Sequence, residues 1–227
     1  MKNIKFIFTF ILVFTFSLTI LKGQDNKPFQ GTVNFKISPV GEVDAATAMQ
    51  LPKLAILTIK DTKSKKVTTQ GPVVITEMTD GTAKTMTILI EMPEKKYAIK
   101  TTEKEIKEGL EKDKDAIPTI KFSEETKEIA GYKCKKAEAT TKDEEGKEVV
   151  EVIYYTEEIG GKDFNFNSPY SAIPGLMMEY NVQATTDIVI KYTATEIKKS
   201  KISDKLFLTP SDFKELTKEE AKKMFGQ

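Results

Sequence analysis

The chain contains no histidine, no arginine and a single cysteine among its 227 residues. Each absence removes a class of chemistry. Without His the commonest general base is missing, and with it the Ser-His and Cys-His nucleophile pairs and the His-based zinc sites. Without Arg all 35 basic residues are lysines, so no guanidinium fork exists for bidentate recognition of phosphates or bases, and a nucleic-acid or nucleotide reading loses its main support. The lone Cys134 cannot close an intramolecular disulfide. Its residue type predicts a small buried side chain, the alternative being a thiolate supported by Lys133, Lys135 and Lys136. An enzyme built from this inventory would depend on paired carboxylates or lysine. The carboxylates, however, sit in mixed Glu/Lys runs such as 103–115 and 143–151, which read as solvated surface. No catalytic residue, cofactor or enzymatic activity is expected.

A metal site is not expected either. Asp163, Asn165 and Asn167 place oxygen ligands at alternate positions, as a calcium loop begins. Ser168 then stands where that loop requires Gly, and Pro174 where it requires a bidentate Glu.

What is present begins with a leader. Lys2 and Lys5 precede an apolar run over 6–21, and Lys22-Gly23-Gln24 follows it. This is the tripartite form of a signal peptide, shorter than the roughly 20 apolar residues of a membrane span. The expected organisation is therefore a signal peptide at 1–23 and one domain at 24–227, with a periplasmic or secreted product that does not span the membrane. Removing Lys2, Lys5 and Lys22 takes the formal charge from +1 to −2, a balance without broad attraction to nucleic acid or anionic membrane.

The remainder reads as strands. From Phe29 to Ser38 the odd positions are apolar or Gly and the even ones polar, the period of a sheet with one covered face. Residues 53–60 are apolar on both sides, which suits a central strand covered twice. Further strands are expected at 66–70, 73–78, 84–92 and 95–100. A capping box, Thr102 with Glu105, opens a short helix. Strands resume at 118–123, at Ile129 to Ala137, at 149–156 with Val150, Val152 and Tyr154 on the inward face, and after Ile173. Residues 160–170 form a loop carrying Phe164, Phe166 and Tyr170. Thr209 and Pro210 suggest a helical turn, and Thr217 with Glu220 caps a C-terminal helix. About ten or eleven strands with little helix predict a mainly β fold: one curved antiparallel sheet forming an open or partial barrel, with a short helix and a C-terminal helix packed against it.

Three segments carry a family resemblance: Ile129 with Gly131-Tyr132-Lys133-Cys134-Lys135-Lys136-Ala137; Tyr155-Thr156 with Glu158-Ile159; and Ile173-Pro174-Gly175-Leu176-Met177. They resemble the GLPGLI family of exported Bacteroidetes proteins, and equally an uncharacterised family similar to the periplasmic lipoprotein carriers LolA and LolB. Ile153-Tyr154 and Ala172-Ile173 depart from the GLPGLI pattern. The resemblance implies a LolA-like partial barrel, and it supplies lipid as a ligand class.

Two functions stay open on these grounds. One is a binding protein holding a lipid or acyl chain against an apolar wall of Phe35, Met86, Ile88, Ile90, Tyr154, Met178 and Tyr180, with Phe164, Phe166 and Tyr170 as a lid. The other is an envelope interaction module with a filled core, which binds a protein partner through a sheet edge or the aromatic loop. A hydrolase working without His is the remotest alternative.

Overall fold

In the computed structural model, residues 28–143, 145–185 and 187–226 are described; the leader expected at 1–23 lies outside them. Two antiparallel meanders make up the fold. The first runs through β1 (Gln30–Pro39), β2 (Leu54–Lys60), β3 (Lys63–Gln70), β4 (Val73–Asp80), β5 (Thr85–Met92) and β6 (Lys95–Thr101). The second runs through β7 (Thr119–Ile129), β8 (Tyr132–Lys142), β9 (Glu148–Thr156), β10 (Leu176–Thr185) and β11 (Ile188–Lys199). Pairing of β1 with β11 joins them, and β12 (Lys214–Leu216) adds in parallel to β6, giving one unclosed sheet ordered β12-β6-β5-β4-β3-β2-β1-β11-β10-β9-β8-β7. Helices α1 (Ala45–Gln50), α2 (Glu103–Lys112) and α3 (Lys218–Phe225) complete it. Among the described residues no helix is long and apolar enough to cross a membrane.

The alternation in β1 works as expected: Val33, Phe35 and Ile37 are all buried. Directly opposed residues of a ladder share a face, so the register carries Phe35 to Ala55, Thr68, Ile75 and Ile90, and the next row from Leu57 to Lys66, Glu77 and Ile88. This face is concave. The Lys66 ammonium on β3 lies 5.8 Å from the Tyr192 ring centre on β11, although three strand spacings, about 14 Å in a flat sheet, separate the two strands. The outer face is crossed by residues 200–213. There Asp204 accepts from Lys60, and Phe213 packs on Met78, Leu89 and Ala98. The strap then delivers β12 to the free edge of β6 and sets α3 beside it, with Phe225 edge-on to Tyr97.

Several expectations need correction. Strand β2 is central but covered once: Ala55, Leu57 and Ile59 are buried, whereas Leu54 is 65% and Ile56 50% exposed. Helix α1 is capped by Asp44, which accepts from the backbone of Ala46 and Thr47, but it buries nothing, and Met49 projects into solvent. The segment from Ile129 to Ala137 is not one strand. Ile129 ends β7 and pairs with Tyr132 at the start of β8. Between them Ala130 and Gly131 have φ of 49° and 81°, the left-handed pair of a type I′ hairpin turn. In β9 the covered residues are Ile153 and Tyr155, whereas Val150 and Val152 are exposed. Pro210 starts no helix. A short 3-10 turn capped by Ser203 lies upstream at Asp204–Phe207, and β12 follows without a periodic signal, being only three residues long.

Candidate functional site

Residues 160–175 form a compact loop whose ends meet. At its neck Leu176 donates its backbone N–H to the Ile159 carbonyl at 3.0 Å, and Gly175 donates to the Gly161 carbonyl at 2.9 Å. Inside, the buried Asn165 spends both side-chain N–H groups on the carbonyls of Ile173 and Gly175, at 2.8 and 2.9 Å. This is the construction of an Ω-loop, which holds its shape through its own side chains. Gly175 is required there: its φ is +79°, and a Cβ would lie 2.1 Å from the Thr156 carbonyl oxygen.

The loop lies over the concave face and touches its far side. Lys84, just before β5, pairs with Asp163 at 3.2 Å, and its ammonium lies 5.0 Å from the Phe166 ring centre. Asn167 donates to the Met86 sulfur on β5 at 3.3 Å. Phe164 packs on the main core and Tyr170 on a second cluster around Ile153, Tyr155 and Ile173. All three aromatic residues are therefore turned toward the sheet. The Tyr170 hydroxyl donates to Glu151 at 2.7 Å, and burial with that contact pushes its pKa well above the tyrosine range. Asp163, Asn165 and Asn167, weighed above as a calcium pattern, serve three separate partners and do not converge.

Beneath the loop lies a pocket of about 230 Å³. One wall is apolar, built from Phe35, Leu57, Leu176, Met177, Tyr180 and Val182. The other is polar: Ser64 and Lys66 on β3 face Thr79 and Glu77 on β4. Lys66 pairs with Glu77 at 3.0 Å. Burial works against its charge, but Glu77 and the phenols of Tyr180 and Tyr192 more than offset this and keep its pKa above the lysine range. Tyr180 and Tyr192 stack at 5.1 Å with Phe35 edge-on to both, and burial raises the Tyr180 pKa to about 12.

The residues expected to form one apolar wall are thus divided. Phe35 and Tyr180 line the pocket. Met178 is fully buried in the core. Met86, Ile88 and Ile90 are half-buried on β5, sharing the concave face one strand beyond Thr79 and Glu77. Tyr154 belongs elsewhere. It donates its hydroxyl to Glu125 at 2.9 Å and has Lys127 5.0 Å from its ring centre. The alternation expected for β9 fails here because Met178 introduces a register shift in β10, after which Tyr154 pairs with Glu179. Sequence reading also missed Lys66 and Glu77, which look like any other charges on a β-strand.

Cys134 is fully buried, and burial pushes its thiol up to about 11. Close to the Tyr154 cluster, Glu179 is buried between Lys127 at 2.9 Å and Lys191 at 3.3 Å. Burial alone would raise its pKa, but the two ammonium groups prevail and hold it below the usual glutamate value. A lowered folded-state pKa contributes stability above the unfolded value, lost as pH falls through the folded value. Glu179→Gln is accordingly expected to cost about 1–3 kcal/mol at pH 7. The gap to wild type should close as pH falls below about 4, as read by urea unfolding across pH. A gap that stays constant with pH would show that the carboxylate charge is not what these lysines hold.

No protein-family model and no curated protein matches this chain.

Proposed function

We propose that this is an exported, non-enzymatic binding protein of the periplasm or extracellular space, which holds an apolar molecule such as a lipid or acyl chain under the 160–175 loop. The observation that carries this reading is the pocket itself, with its apolar wall of Phe35, Leu57, Leu176, Met177, Tyr180 and Val182 roofed by a preformed loop. Ligand sites are concave, mostly apolar and furnished with few polar groups. At about 230 Å³ the pocket has room for about eight water-sized groups of about 30 Å³, one short chain or the end of a longer one. The half-buried Met86, Ile88 and Ile90 extend apolar surface past the loop. The leader supports export, and the resemblance to the GLPGLI and LolA-like families supplies lipid as the class.

The interaction-module reading draws less support. Edge strands that recruit partners are long, flat and apolar. Here β12 is three residues long. Strand β7 carries Lys121, Glu124, Glu125, Lys127 and Glu128 and is broken by a register shift between Phe122 and Thr126. The loop aromatics, the other proposed contact surface, are turned inward.

Native mass spectrometry with solvent extraction on gently purified protein, together with titration of a hydrophobic fluorescent probe, tests the proposal. A stoichiometric apolar molecule, or saturable probe uptake, is expected. Val182 lines the pocket at 38% exposure, so Val182→Phe should fold normally and weaken uptake several-fold by filling the mouth. A clean apo mass without probe uptake, or uptake indifferent to V182F, would overturn the assignment.

A further inference from the structure

Among the described residues, Lys66 and Glu77 are the only charged side chains lining the pocket. Their setting is unusual for a pair on a sheet. Surface pairs project into water, but this one projects into a concave hollow, with 26% and 35% of the side chains exposed. The Lys66 ammonium lies toward the stacked Tyr180 and Tyr192 rings and shares the pocket wall with the hydroxyl-bearing Ser64 and Thr79, which hydrogen-bond to each other at 2.7 Å. The hollow is thus amphipathic, with alkyl and aromatic groups on one side and an ammonium, a carboxylate and two hydroxyls on the other.

We infer that the pocket selects a single-chain amphiphile with an anionic head, a carboxylate or phosphate, and that Lys66 is the group that binds the head. The inference rests on the reading of the pocket as a ligand site and adds to it the chemistry of the ligand. The pair has one partner that can leave. Glu77 is the more exposed of the two, so its carboxylate can turn to water, while Lys66 stays in the hollow and needs an anion. An incoming head group takes the place of Glu77, giving a charge-assisted hydrogen bond in a partly buried site. The chain then lies on Leu57, Phe35 and Tyr180. A neutral amphiphile gains the same apolar contact but cannot displace Glu77, so Lys66 confers preference and not simply affinity.

The test is calorimetric titration of the protein with decanoate, decyl phosphate and decanol. Both anions are expected to bind about tenfold or more tightly than decanol, the range of a charge-assisted bond. Lys66→Met should abolish that preference and leave decanol affinity unchanged. Glu77→Gln, which removes the competing anion and keeps the shape, should strengthen both anions and not decanol. Tighter binding of decanoate assigns a free fatty acid, and tighter binding of decyl phosphate a phosphate head group. Decanol binding as tightly as the anions, or a preference that survives K66M, would overturn the inference while leaving the apolar-ligand reading intact. Failure of all three amphiphiles to bind would remove both.

Discussion

Gly175→Ala is expected to lower stability by about 2–5 kcal/mol, the sum of left-handed strain and overpacking. The residue sits at φ +79°, and an added methyl group would lie 2.1 Å from the Thr156 carbonyl oxygen and 2.9 Å from the Glu157 Cα. Both obstacles are backbone atoms, so nothing flexible can yield. Relief requires moving the loop neck, which breaks the Gly175 to Gly161 hydrogen bond and displaces the carbonyl that Asn165 holds. Gly131→Ala is the control. Its φ is +81°, but a methyl group there meets nothing within 4 Å, so only the conformational cost of about 1–2 kcal/mol remains. For a domain near 200 residues, each kcal/mol shifts the melting temperature by about 2–4 °C. Calorimetry on the two variants should therefore separate them by several degrees, with G175A lower. Equal losses would mean that the loop neck is not a tight contact.

Phe35→Ala should cost about 3–5 kcal/mol, as expected for removal of a buried aromatic ring. Phe35 is 2% exposed and edge-on to Tyr180 and Tyr192 at 6.3 and 6.2 Å. Its ring also borders the pocket, so truncation opens the hollow as well as weakening the core. Urea unfolding is expected to show a lower midpoint with an unchanged slope, and the folded variant should take up more hydrophobic probe than wild type. Met86→Ala on the half-buried β5 wall should cost well under half as much. A Phe35→Ala variant of near-wild-type stability that takes up less probe would make Phe35 a ligand contact with little packing role.

Much of the architecture was legible in the sequence because its signals are local. The period-2 alternation in β1, and the capping boxes of Thr102 with Glu105 and Thr217 with Glu220, depend on neighbours within a few residues, and all appear as expected. Faces were harder. In β2 and β9 both sides are apolar enough to be covered, so which side is buried depends on what lies above it. The strap at 200–213 covers Leu89 and Met78 and leaves Ile56 open. The register shift at Met178 places Tyr154 opposite Glu179, and no alternation pattern contains a bulge in the partner strand. The turn at Ala130-Gly131, inside a segment that reads as one strand, was not legible, because Ala is an uncommon residue at positive φ.

By itself the sequence determined the class of fold and the absence of His- and Arg-based chemistry. Tertiary structure alone decided the site. Lys66 and Glu77 become pocket walls only because the sheet curls enough to bring β3 to the rings of β10 and β11, and because a loop following β9 reaches Met86 on β5. Curvature is a property of many strands twisting together, so no window of residues along the chain encodes which charges will face inward.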